Sequence, residues 1–225
     1  MIWHPYEQSQ PCVKALTHTV IALLQKTVEQ SGTARLAVSG GHSPIPLFTE
    51  LSQSDLDWAK IHITLVDERF VAPSDPDSNE NLVRRYLLVN NASQAQFQGL
   101  VTHVDDIEAC VDQANSNAAP ITLAILGMGE DGHTASLFPN APELAQALDP
   151  AQTRHYMSIT PPAAPHRRIS STLAALLQAQ HRILFISGSQ KLQVFEQAAQ
   201  QSSPARPVSF LLTRTDAPIN VFWHP

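Results

Sequence analysis

The sequence predicts an α/β fold, a doubly wound, mostly parallel sheet with helices on both faces. Three observations predict it. An apolar run, a tight turn and a helical pattern recur in that order from residues 36, 121 and 182, each with glycine in the turn, and from residue 61 without it. The runs are apolar throughout, as expected of strands buried in a sheet core. Helical patterning separates them, and a helix crossover joins parallel strands. In such sheets ligands bind beyond the carboxyl ends of the strands.

The elements follow in chain order. Val13, Leu16, Val20, Leu23, Leu24 and Val28 recur at spacings of three and four, which predicts an amphipathic helix over 12–30, stopped by Gly32. Leu36-Ala37-Val38 is a short strand and Ser39-Gly40-Gly41 its turn. Pro44 can open the next helix, running to about Leu51. Ile61–Val66 is a buried strand that ends in the charged triplet Asp67-Glu68-Arg69. A polar loop with two prolines leads to a helix over 78–88. Leu100–Val104 reads as a third strand, and 105–115 as a helix capped by Asp105 or Asp106. Ile121–Leu126 is the fourth strand, followed by Gly127-Met128-Gly129, Asp131, His133 and a short polar helix start toward Phe138-Pro139. Met157–Thr160 is a short strand, 171–178 a helix, Arg182–Ile186 a strand with Gly188 as its turn, and 190–200 the helix behind it. Ile219–Phe222 is a last strand, read as an edge. With no fixed-period repeat and no low-complexity linker, residues 1–225 are expected to form one domain.

Bulk properties narrow the function. Hydrophobic residues make up 43% of the 225, enough for a full core. Net charge is −6, and no basic cluster exceeds Arg84-Arg85 or Arg167-Arg168, so nucleic acid is not an expected partner. A small anionic substrate fits, because one pocket can be basic in an acidic protein. The two cysteines, Cys12 and Cys110, match no metal-ligand spacing and are expected to be free thiols in a reducing compartment. Residues 1–11 carry no basic-then-apolar signal pattern, and no apolar run approaches the ~20 residues of a membrane span. No membrane association is expected, and the expected location is the cytoplasm.

Four segments at strand ends could carry chemistry. Ser39-Gly40-Gly41 exposes backbone N–H groups before a helix start and could cradle a phosphate; an ordinary tight turn uses the same residues. Asp67-Glu68-Arg69 could place a carboxylate and a guanidinium over a ligand, with Asn79 adding an amide; a solvated loop with a local ion pair is the other reading. Asp131 and His133 could form an acid/base pair, because an imidazole of ordinary pKa near ~6.5 needs little tuning to act as a base at neutral pH. Arg167-Arg168 and Lys191 could clamp an anion or simply be surface charges. Asp131 and His133 have no third partner in view for a metal, and Ser136 and Ser171 lack the GxSxG elbow of a serine nucleophile.

Read together, SGGHSP at 39–44, VDER at 66–69, DSN at 77–79, GMGEDGHTASLFP at 127–139, RRIS at 167–170 and SGSQK at 187–191 resemble the 6-phosphogluconolactonases of the glucosamine-6-phosphate isomerase/6-phosphogluconolactonase family. The likeness spans nearly the whole chain. It implies a fold shared with glucosamine-6-phosphate deaminase. It also implies hydrolysis of 6-phospho-D-glucono-1,5-lactone to 6-phospho-D-gluconate, with no cofactor and no metal, by a monomer or weak homo-oligomer. His133 would be the general base, Asp131 would orient it, and Arg69 would offset charge developing at the carbonyl. Ser39, Gly40, Gly41, Arg168 and Lys191 would hold the phosphate. Asp67 and Asn79 would bind sugar hydroxyls or the attacking water. The chain departs from the lactonase pattern at His42-Ser43, where Ser-Thr is usual, and at Ser170, where Thr is commoner. Deaminases typically carry a Glu where this chain has Phe138, and Tyr where it has Arg69. A deaminase-like isomerase and a non-catalytic sugar-phosphate sensor are the alternatives, and no DNA-binding module accompanies the chain to favour the sensor.

Overall fold

In the computed structural model, which describes residues 1–225, strands β1 (Ile2–Pro5), β2 (Ala34–Val38), β3 (Ile61–Leu65), β5 (Gln96–Gln98), β6 (Leu123–Leu126), β9 (His181–Ser187) and β10 (Asn220–His224) build one sheet. Its order is β1-β10-β9-β6-β2-β3-β5, and every pairing is parallel. A smaller antiparallel sheet, β4 (Asp67–Arg69), β8 (Arg168–Ser171) and β7 (Tyr156–Ile159), lies in the order β4-β8-β7.

The parallel strands alternate strictly between two cores. Leu36, Val38, Ile63, Leu65, Leu123, Ile125, Ile183 and Phe185 face one, with α1 (Ser9–Ser31), α2 (Ile45–Ser52), α3 (Asn79–Tyr86) and α4 (Ile107–Ser116). Ala37, Ala124, Leu126, Leu184, Ile186 and Val221 face the other, with α5 (Leu144–Ala147), α6 (Leu173–Gln178), α7 (Ser189–Ala198) and α8 (Ser209–Leu212). A period of two with both phases apolar is what a strand sandwiched between helix layers requires. The doubly wound prediction therefore holds.

The winding reverses between β2 and β6. From β2 the chain proceeds outward to β3 and β5, and from β6 it proceeds the other way to β9 and β10. Connections leaving in opposite directions open a crevice at the carboxyl ends of the two central strands. The glycine loops after β2 and β6 both fall there.

Several expectations need correction. The third strand is β5 at 96–98, not 100–104. Its two glutamines hid it, yet Gln98 is engaged: its carbonyl accepts from Thr64 Oγ1 and its Oε1 from Arg35 Nη1. Edge strands tolerate such polar residues. β10 is not an edge, because β1 pairs outside it and Trp3 stacks on Phe195 at 4.8 Å. No helix starts after His133; an isolated bridge between Thr134 and Leu137 turns the chain instead. The triplet 67–69 and the run 168–171 are paired strands, and the helix expected from 171 begins at Leu173. Their polar residues gave no apolar signal, and only the pairing makes them strands. Asp106, not Asp105, caps α4, accepting from Ala109 N at 3.0 Å. Cys12 and Cys110 are buried free thiols, and burial pushes the Cys12 thiol up to about 11, so it stays protonated. No helix is long and apolar enough to cross a membrane.

Candidate active site

The crevice over β2 and β6 is a cavity of about 450 Å³. Its walls include Ser39, Gly40, Gly41, Asp67, Arg69, Asn79, His133 and Lys191. Eight of the ten anticipated residues thus converge from five segments of the chain. Asp131 and Arg168 stand behind the wall.

The loop after β6 sets the imidazole–carboxylate pair. His133 Nδ1 donates to Asp131 Oδ1 at 2.6 Å, and the backbone N–H of His133 donates to the same oxygen at 3.1 Å. A carboxylate partner requires the proton on Nδ1, which leaves Nε2 with a free lone pair on the cavity side. Burial works to raise Asp131, but the hydrogen bonds and charge of His133 override it and hold the carboxyl below its usual range. Asp131 is therefore ionised and poised to stabilise an imidazolium. Gly129 is needed here because a Cβ on it would lie 2.2 Å from the imidazole Nδ1. The Phe138 ring sits 4.4 Å from the imidazole, so an apolar group, not a second carboxylate, borders that ring.

The loop after β2 makes the opposite wall. The amides of Gly40, Gly41 and His42 donate to no acceptor in the protein. They precede α2, whose N-terminal end adds positive potential. The Ser39 hydroxyl is not available to a ligand: it donates to Ile125 O and accepts from Gly127 N, tying the two central loops together. Ser39 is thus a staple of the cradle.

The cationic group is split. Lys191 lies in the first turn of α7 and lines the cavity. Arg168 pairs with Arg69 across β4 and β8, and its guanidinium lies 5.9 Å over the Phe138 ring. It is 5% exposed, and its buried Nε and Nη1 have no hydrogen-bond partner. Burial and then Arg69 lower its pKa, yet an arginine remains charged. Buried unpaired donors are costly, and an anion could satisfy these two. Arg167, its neighbour, points outward to Glu108 at 3.2 Å.

Two site residues have more structural work than the sequence suggested. Asp67 Oδ2 accepts from the buried Ser136 hydroxyl at 2.6 Å, and Ser136 N donates to Ser170 Oγ. Asn79 Nδ2 donates to the Asp67 carbonyl, and its Oδ1 lies so close to Gly40 that a Cβ there would be 1.8 Å away. Ser136, Ser170 and the buried Glu68 were not anticipated as site residues. Their contacts are long-range, and a lone serine or carboxylate carries no local signal for them.

Fold and site together define a class: a doubly wound α/β protein that gathers a carboxylate-held imidazole and a loop of free backbone amides over its topological switch point. The chain belongs to the glucosamine-6-phosphate isomerases/6-phosphogluconolactonase family, whose pattern covers residues 7–223. It is 41% identical over 230 residues to the 6-phosphogluconolactonase of Neisseria meningitidis serogroup A, covering 99% of this chain and 98% of that protein. The crystal structure of a 6-phosphogluconolactonase from Shewanella baltica superposes with a TM-score of 0.94 at 34% identity, covering 100% and 98% of the two chains. A monomeric glucosamine-6-phosphate deaminase shares the fold alone, with a TM-score of 0.76 at 16% identity over 100% of this chain and 97% of the other.

Proposed function

We propose that this protein hydrolyses 6-phospho-D-glucono-1,5-lactone to 6-phospho-D-gluconate, a step of the oxidative pentose phosphate pathway, as a single-domain enzyme of the cytoplasm. The observation that carries the reading is the imidazole of His133, held through Nδ1 by Asp131 with Nε2 free toward a cavity that contains an anion cradle. The names of the full-length relatives point the same way.

A lactone is an activated ester, so a positioned water and a general base suffice for attack. His133 Nε2 takes a proton from the water as its oxygen adds to C1. Asp131 steadies the resulting imidazolium. Charge builds on the former carbonyl oxygen, where Arg69 offsets it. The tetrahedral intermediate collapses with cleavage of the C1 to ring-oxygen bond, and the imidazolium returns the proton to the departing ring oxygen. The amides of Gly40 and Gly41, with Arg168 and Lys191, hold the 6-phosphate. Binding energy remote from C1 orients the reacting end. Asp67 and Asn79 face the sugar hydroxyls or the water. Phe138 weighs against the deaminase alternative, since ring opening there calls for a carboxylate beside the imidazole.

The test is a coupled assay that follows 6-phosphogluconate formation above spontaneous hydrolysis. His133→Gln, run as control, should lower turnover by at least ~10²-fold, the scale of general-base catalysis. A fully active variant removes His133 from that role. Ammonia release from glucosamine 6-phosphate would decide for the deaminase.

A further inference from the structure

Glu68 sits between two site residues, Asp67 and Arg69, yet lines no part of the cavity. It is 1% exposed. Four donors close around its carboxylate. Oε1 accepts from Arg69 N at 2.7 Å and from Asn79 N at 2.7 Å; Oε2 accepts from Glu80 N at 2.8 Å and from Ser78 Oγ at 3.0 Å. Three of these donors belong to the capping residue and first turn of α3, where backbone N–H groups have no partner within the helix. The fourth belongs to β4 itself. Glu68 is thus a bolt joining the strand that bears Asp67 and Arg69 to the helix start that bears Asn79.

The joint reaches further. Asn79 ties back to the Asp67 carbonyl and packs against the Cα of Gly40, in the loop of free amides. Asp67 is fixed in turn by Ser136 of the loop that bears His133. From these contacts we infer that Glu68 is a positioning residue for the hydrolytic reaction, setting β4 against α3 so that Asp67, Arg69 and Asn79 stand at their places over the substrate. This role rests on the lactonase reading of the site.

An ionised carboxylate matches the cage because it only accepts. In a carboxamide one oxygen becomes an NH₂ group, so one pair of donors meets another donor and at least one backbone N–H loses its acceptor. Strand and helix start would then separate locally.

The experiment compares wild type and Glu68→Gln with 6-phosphogluconolactone, at a temperature where circular dichroism shows both folded. A shift approaching 1 Å can cost ~10²-fold, so kcat should fall by at least ~10-fold while KM stays within ~threefold. A kcat within about twofold of wild type overturns the role, since a purely structural carboxylate leaves turnover of the folded protein unchanged. Should Glu68→Gln fail to fold, Ser78→Ala carries the test. It removes one donor and keeps the charge, and a kcat loss of ~threefold or more is expected, with an unchanged kcat overturning the role. A wild type that shows no turnover above background removes the lactonase reading and this role with it. An active wild type with an equally active Glu68→Gln removes this role alone.

Discussion

At the residue scale, the fold separates side chains that look alike in the sequence. Arg168 is the clearest case. Its sequence neighbour Arg167 has the same charge but reaches an exposed carboxylate, whereas Arg168 is buried with two unpartnered nitrogens. The difference follows from position: Arg168 begins β8, whose four residues are all buried, whereas Arg167 precedes the strand and is exposed. Arg168→Ala should raise KM for 6-phosphogluconolactone by ~10-fold or more, given that a hydrogen bond to a charged group contributes about 1.5–3 kcal/mol. Unphosphorylated gluconolactone should be affected little. Steady-state kinetics with both substrates check this, and equal effects on the two would rule out a phosphate clamp. Asp131, His133 and Arg69 were legible in the sequence because each ends or follows a visible strand. Ser136 and Glu68 were not, since their meaning comes from Asp67 and α3 respectively.

At the element scale, local rules predicted most helices, and the long-range pairings supplied the rest. The 3.6-residue pattern found α1, whose end at Gly32 takes φ 83°, a left-handed conformation that glycine adopts without strain. The sequence also placed a helix at α6, but not what secures it. The last carbonyls of a helix lack internal partners. Here Arg182 of β9, itself 5% exposed, donates through Nη1 to Leu176 O, Leu177 O and Ala179 O. This one cation ties the carboxyl end of α6 to the central sheet. Arg182→Met keeps much of the bulk and deletes the donors. It should destabilise the protein by about 2–3 kcal/mol, from the loss of charge-assisted bonds to buried carbonyls. The check is a lower urea midpoint with an unchanged slope. Full retention of the midpoint would show that these carbonyls find other partners.

At the scale of the whole molecule, stability and function pull apart at Glu68. Burial raises its carboxyl from 4.5 to about 7, against the pull of the Asn79, Glu80 and Arg69 amides and the Ser78 hydroxyl. A pKa raised on folding means that the folded protein holds this proton more tightly than the unfolded chain. Its contribution to stability is then fully present below about pH 4.5 and is lost as pH rises through about 7. Glu68→Gln lacks that dependence. From pH 5 to pH 8 the wild type should therefore lose stability relative to the variant, although the variant is expected to be the poorer catalyst. Denaturant titrations of both proteins at the two pH values test the sign, and a gap that moves in the wild type's favour would contradict it. Stability given up at a site for function is a common trade.

The sequence by itself determined the α/β class, the order of the central strands along the chain, the two glycine loops and the imidazole–carboxylate pair. These are local properties: apolar periodicity, turn chemistry and residues one or two positions apart. Only the tertiary structure decided where β2 and β6 meet, which arginine is buried, that residues 67–69 and 168–171 are strands, and that Ser39 and Asn79 hold the cradle as well as line it. The physical reason is that polar residues reveal their role through their partners. A buried carboxylate or hydroxyl takes its partners from whatever the fold brings to it, and here Ser136 reaches Asp67 and the start of α3 reaches Glu68 from distant parts of the chain.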